Sequence, residues 1–133
     1  MAVTAVGAEL GFQDLDDELE STELDVEGTL PPWLGGSLLR TGPARWDLPA
    51  GSVGHWFDGL AMLHRFAFAG GRVTYANRFL RSRAFEAAER DGRLAYREFA
   101  SDPCRSAFKR ISTLFDGRSQ MSDNGSVNVT RLG

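Results

Sequence analysis

Leu60-Ala-Met-Leu-His-Arg-Phe-Ala-Phe-Ala-Gly-Gly-Arg-Val-Thr-Tyr-Ala-Asn-Arg-Phe-Leu80 is built on a period of two. Met62, His64, Phe66 and Phe68 fall on one side of the first run, with Leu63, Arg65 and Ala67 on the other. The second run sets Val73, Tyr75, Asn77 and Phe79 against Thr74, Ala76, Arg78 and Leu80. Gly70-Gly71 between them suits a two-residue connection that needs positive φ. The expectation is a β-hairpin over residues 60–81, around which the rest of the chain is arranged.

Directly before the hairpin stands His55-Trp-Phe-Asp-Gly59, an aromatic cluster expected to bring the chain back to a core, followed by a turn-forming Asp-Gly pair. Further upstream, Glu23 to Leu30 reads as a short strand ended by Pro31-Pro32. Gly35-Gly36 permits a reversal into a strand over Ser37–Arg40, which Thr41-Gly42-Pro43 closes, and residues up to Gly54 read as an irregular loop. Downstream, Ser82 is placed to cap a helix running to Arg90, with Asp91-Gly92 as its stop. Leu94–Phe99 and Ser126–Thr130 alternate as strands. The fold class expected from the residues is all-β with short helices.

The net charge of −3 conceals an asymmetry. Residues 1–39 carry nine acids and no Lys or Arg, whereas residues 40–133 carry fifteen basic residues against nine acids. Residues 1–22 are therefore read as an acidic flexible arm, and residues 23–133 as the folded part. The arginines are spread from Arg40 to Arg131 rather than clustered among stacking aromatics, so no nucleic-acid partner is expected. One cysteine, Cys104, cannot form an internal disulfide. No positive charge precedes an apolar run at the N-terminus, and no apolar stretch approaches the ~18 residues needed to span a bilayer. A cytoplasmic location is the resulting expectation, with peripheral membrane association left open.

The chemistry-bearing residues are few. His55 and His64 are the only histidines, so tetrahedral zinc would require both of them, Cys104 and a carboxylate to converge without any tight ligand spacing. No metal, cofactor or catalytic residue is assigned. Asp58 reads as a turn residue rather than a general base, and neither diglycine has the Lys-Ser/Thr setting of a phosphate loop. Cys104, Phe108, Ile111 and Phe115 stand at helical spacing, with Arg105, Lys109 and Arg110 nearby. Such a face either docks on a core or lies in a membrane interface.

The ordered set Gly28-Thr-Leu-Pro-Pro-Trp-Leu-Gly-Gly-Ser-Leu-Leu-Arg-Thr-Gly-Pro43, His55-Trp-Phe-Asp-Gly59, Met62-Leu-His-Arg-Phe66, Val73-Thr-Tyr75, Arg78-Phe79, Asp102-Pro-Cys104, Asp123-Asn124 and Val127-Asn-Val129 resembles the N-terminal portion of the carotenoid cleavage oxygenases, including the retinoid isomerohydrolases. The resemblance implies a seven-bladed β-propeller, incomplete in these 133 residues, whose parent carries Fe(II) held by four histidines. It implies a dioxygenase that uses O₂ to cleave a conjugated double bond of a carotenoid, apocarotenoid or stilbene. His55 and His64 match structural positions of the motif and not the iron ligands, so the chain by itself is expected to be inactive. The Cys104–Phe115 face matches the region by which membrane-associated relatives approach lipid. The alternative reading is a non-catalytic module of the same origin that binds a lipid or a partner. Open sheet edges and uncovered apolar faces are expected either way.

Overall fold

The computed structural model describes residue 11, residues 13–96, residues 122–126 and residue 129. Expectations for Arg97–Phe99 and for the Cys104, Phe108, Ile111 and Phe115 face lie outside the described residues, as does most of Ser126–Thr130. Leu94 to Tyr96 are described and are not in a strand. The described part is mostly β with one α-helix. Its strands are β1 (Thr22–Leu24), β2 (Gly36–Arg45), β3 (Asp47–Leu48), β4 (Gly51–Ser52), β5 (Leu60–Ala69) and β6 (Arg72–Phe79), and helix α1 (Arg83–Asp91) comes after them. Four strands make one antiparallel sheet in the order β1-β6-β5-β2, and β3 pairs with β4.

The hairpin forms as its alternation requires. Gly70 and Gly71 have φ of 57° and 78°, a left-handed pair that joins Ala69 to Arg72 across the tightest connection. Met62 lies opposite Phe79, His64 opposite Asn77, Phe66 opposite Tyr75 and Phe68 opposite Val73, which fixes the first face. Helix α1 closes one end of that face. The Ser82 hydroxyl accepts the Phe85 N–H at 3.1 Å, and Gly92 ends the helix in the left-handed conformation at φ 65°. Asp123 adds a second cap: its carboxylate accepts the N–H groups of Arg83 at 2.9 Å and Ala84 at 3.0 Å.

The helix buries Ala84, Phe85, Ala87 and Ala88. Phe85 stacks on Phe79 with ring centroids 5.1 Å apart, inside a core of Ala44, Leu48, Leu60, Met62, Phe79, Phe85 and Ala88. Arg45 roofs the two rings, its guanidinium 5.0 Å from the Phe79 centroid and 5.7 Å from Phe85, while it also pairs with Glu89. The core is therefore confined to one end of the sheet.

Three local expectations are corrected. Strand β2 does not stop at Thr41-Gly42-Pro43 but runs to Arg45, with Pro43 opposite Ala61 and a register shift between Pro43 and Arg45. An edge strand tolerates a residue without an N–H, and the irregularity absorbs the mismatch. The loop to Gly54 contains the β3–β4 pair, tied to the helix by the Ala50 N–H donating to Gly92 O at 2.9 Å. The strand expected over 23–30 is only Thr22–Leu24, because Leu24 is its last residue in register with β6.

The acidic stretch is the larger difference. Within the arm expected over residues 1–22, residues 14–22 are fastened to the sheet, because its bordering backbone N–H groups need acceptors and these acids supply them. Asp14 accepts the Trp46 N–H at 2.7 Å, Glu18 accepts the Phe79 N–H at 2.7 Å and the Arg81 guanidinium at 2.8 Å, and the Leu15 N–H donates to Ala44 O at 2.8 Å. Asn77 completes the attachment from the sheet side. Its backbone N–H donates to Leu19 O at 3.0 Å, its side-chain oxygen accepts the Leu19 N–H at 2.6 Å, and its amide nitrogen donates to Asp17 O at 2.9 Å. Asn77 is only 3% exposed, so these bonds are made out of competition with water. Replacing Asn77 with Ala is expected to cost about 1–3 kcal/mol, since the Leu19 N–H and the Asp17 carbonyl lose their part-buried bonds to its side chain. Chemical denaturation should register it as a lower midpoint, and an unchanged midpoint would contradict the role given to the amide.

Candidate functional site

The aromatic cluster sits on a single 3-10 turn, Trp56–Asp58, between the β3–β4 pair and β5. His55 starts it: the ring Nδ1 accepts the Phe57 N–H at 3.2 Å, and the His55 carbonyl accepts the Asp58 N–H at 3.0 Å. Gly59 closes it with its N–H on Trp56 O at 3.3 Å. Asp58 is the member that turns inward, with no exposed surface, and this rotates Trp56 and Phe57 outward. The apolar composition of the cluster predicts a place in the core. Instead Trp56 is 39% and Phe57 52% exposed, because the small core is already filled by Leu60, Met62, Phe79 and Phe85.

The rings nevertheless form an ordered ledge. Trp56 meets Phe57 edge-on at 5.1 Å, His55 stacks on Phe57 at 5.6 Å, and Trp46 lies 6.3 Å behind Trp56. The Trp46 indole N–H donates to Trp56 O at 2.8 Å, and the Trp56 indole N–H donates to Gly11 O at 3.0 Å. From the other side Asn124 clamps the turn to the strand: its amide nitrogen donates to Gly59 O at 2.9 Å and its oxygen accepts the Ala61 N–H at 2.8 Å. This side chain substitutes for a paired peptide group.

His64 lies apart, half-buried on the first sheet face. Its Nδ1 shares a 2.7 Å hydrogen bond with the Tyr75 hydroxyl, and Phe66 packs on Tyr75 at 5.0 Å. Burial, and then the Arg40 guanidinium on the neighbouring strand, push the His64 imidazole below its ordinary value, while burial pushes the Tyr75 phenol up. Both groups are thereby held neutral. On the second face, a groove of about 370 Å³ runs between Leu19, Leu63 and Ala76 and is bordered by Glu20, Arg65 and Arg78.

Both histidine Nδ1 atoms are engaged, and among the described residues no three His, Cys, Asp or Glu side chains gather at one point. What the geometry offers is apolar: ring faces exposed at one end of the sheet, fixed by hydrogen bonds from Trp46 and Asn124. Asn124 stands in the Asp123-Asn124 motif, but nothing in the sequence pattern gives it or Trp46 this supporting role.

Residues 12–133 match the family described as retinal pigment epithelial membrane protein. The mitochondrial carotenoid-cleaving dioxygenase of Pongo abelii is 42% identical over 113 residues, covering 80% of this chain and 20% of that protein. The chloroplastic carotenoid cleavage dioxygenase 8 homolog B of Oryza sativa subsp. japonica is 42% identical over 114 residues, covering 83% of this chain and 20% of that protein. Among solved structures, cobalt-substituted apocarotenoid oxygenase of Synechocystis superposes with a TM-score of 0.74 at 32% identity, over 90% of this chain and 24% of that one. The chain thus spans about a fifth of the length of the curated relatives it matches.

Two outcomes test the local physics. A Cβ on Gly59 would lie 2.7 Å from the Trp46 indole nitrogen and 2.9 Å from Pro43 Cβ, so Gly59→Ala is expected to displace the ledge and cost about 1–3 kcal/mol. Trp fluorescence shifted without loss of the far-UV spectrum would mark a local displacement. For His64, the unfolded chain takes up the proton more readily than the folded one, so its contribution is complete above the ordinary value of 6.5 and is lost as pH falls through the depressed folded value. The melting temperature should fall across that window, and fall less in His64→Gln. Equal slopes for the two proteins would count against it.

Proposed function

The chain belongs to the family of the retinal pigment epithelial membrane protein, and from that premise we propose that it is the N-terminal part of an Fe(II)-dependent oxygenase cleaving a conjugated double bond of a carotenoid or apocarotenoid with O₂. The observation that carries the reading is that sequence and backbone agree on the same relatives, whose names state carotenoid cleavage and apocarotenoid oxygenation. The exposed faces of Trp56 and Phe57 support it, since an extended polyene is recognised by dispersion contact with flat apolar surfaces. In this proposal the ledge binds and orients; it supplies no proton and no nucleophile.

The four-stranded sheet would be one blade of a seven-bladed propeller, an architecture assembled from four-stranded antiparallel sheets. Apolar residues on both of its faces favour this. Leu38, Phe66 and Phe68 lie on one face and Leu39, Leu63 and Ala67 on the other, with Leu38 50% and Leu39 40% exposed. A sheet flanked by neighbouring blades would cover both. Because His55 and His64 match motif positions other than the iron ligands, this proposal assigns the histidines that hold iron to the remainder of the whole protein. Cytoplasmic location with peripheral membrane contact through Cys104, Phe108, Ile111 and Phe115 belongs to the same proposal.

Purified alone, the 133-residue chain is expected to hold no stoichiometric Fe(II) and to give no O₂-dependent cleavage of an apocarotenal. A family-length protein containing it should do both, and should lose cleavage when a chelator removes the iron. Stoichiometric iron with O₂-dependent cleavage by the isolated chain would overturn the assignment of the chemistry elsewhere. Membrane contact predicts co-sedimentation with anionic liposomes that Phe108→Asp abolishes; undiminished co-sedimentation of that variant would move the contact to another face.

A further inference from the structure

The way residues 13–24 are held differs from the way the rest of the sheet is held. Their attachment consists of backbone and side-chain hydrogen bonds: Leu15 to Ala44, Asp14 to Trp46, Glu18 to Phe79, Leu19 to Asn77, and the β1 register Thr22, Glu23 and Leu24 opposite Tyr75, Thr74 and Val73. Little apolar burial accompanies them, since Leu15, Leu19 and Leu24 remain 36–41% exposed. The hairpin and α1, in contrast, share the buried core. A segment held by hydrogen bonds with little burial is the unit that opens at lowest free energy.

The next stretch of chain is suited to movement. Residues 25–35 join the β1 edge of the sheet to β2 on the opposite edge, and all are exposed except Leu30 and Leu34. They include Gly28 at φ 90° and the Pro31-Pro32 pair. The vacated site, meanwhile, is demanding. It would leave the Asn77 side-chain oxygen and the Phe79 N–H without partners, and the Asn77 amide nitrogen with only Met62 Sδ at 3.1 Å, a state a folded protein avoids. The ligand that satisfies it must be an extended strand with an acceptor at the position of Glu18 and a free peptide group one residue later. A second copy of this chain carries that segment, already matched in register, charge and side-chain length.

We propose that residues 13–24 are an exchangeable edge strand, and that two copies of the chain trade them across the Asn77–Phe79 border to form a strand-exchanged dimer. Exchange conserves every contact of the closed chain, and only the hinge 25–35 changes conformation. The partner surface is thus the outer edge of β6 together with the Asn77 amide.

Two variants of the 133-residue chain, Glu23→Cys and Thr74→Cys, each in a Cys104→Ser background, test this directly, because positions 23 and 74 face each other across β1 and β6. Mixed at high concentration and then oxidised, they should yield a covalent heterodimer severalfold above that from Glu23→Cys mixed with Ser52→Cys. No excess over that control would overturn the proposal. Hydrogen exchange on the unaltered chain gives an independent reading. The amides of Leu15, Leu19, Asn77 and Phe79 should exchange together, at least tenfold faster than those of Leu80 and Gly92. Exchange of both groups at one rate would show that the strand does not open separately, and the proposal would fail.

Discussion

A sheet must do something with the backbone donors along its borders, and this chain meets that constraint with side chains from distant sequence. Asn77 accepts and donates for Leu19 and Asp17; Glu18 receives the N–H of Phe79; Asp14 receives that of Trp46; Asn124 bridges Gly59 and Ala61. Each bond places a short polar side chain where a neighbouring strand would otherwise supply a peptide group. While residues 13–24 are in place, the neutral or anionic acceptor also covers the border. Asp123 applies the same solution to the helix. Burial opposes its ionisation, yet the N–H groups of Arg83 and Ala84 and the Arg83 guanidinium hold the carboxyl below the usual carboxylate range.

The apolar core is too small to dictate the arrangement alone. Leu60, Met62, Phe79, Phe85 and Ala88 occupy one end of the sheet, and Arg45 seals them by lying across both phenyl rings. Beyond Met62 the first face continues with His64, Phe66 and Phe68, none of which α1 covers fully. Stability over that part of the sheet depends on the ladder, on Tyr75 against His64 and Phe66, and on the segment 14–24 along β6. Polar borders and a one-ended core are thus complementary.

Legibility from sequence divides along the same line. The hairpin is readable because its alternation and Gly70-Gly71 are local, and α1 because Ser82 and Gly92 lie beside the residues they cap. The second cap from Asp123 is not, since its partners Arg83 and Ala84 are some 40 residues away. Acids at 14 and 18 read as solvated because charge alone cannot say that a backbone N–H waits for them. Pro43 reads as a stop because a sequence does not reveal which strands are edges. Trp56 and Phe57 read as core because hydrophobicity says that a residue prefers burial, not whether the core has room. The ordered motifs identify the family and include Asn124, while the supporting roles of Asn124 and Trp46 are beyond reach of pattern.

Those supports explain why the ledge can be both exposed and ordered. An exposed ring on a free turn would lose its orientation to rotamer and backbone entropy. Here the turn is closed on itself by His55 and Gly59, held from behind by the Trp46 indole, and joined to β5 by Asn124. Gly59 is the point where these meet, since the approach of Trp46 and Pro43 leaves no room for a Cβ. Fixing the rings in the free protein removes part of the ordering cost that an apolar ligand would otherwise have to offset on binding. A fixed aromatic surface at one end of a sheet is thus what this stretch offers an apolar ligand, and the hydrogen bonds of Trp46 and Asn124 keep that surface in place.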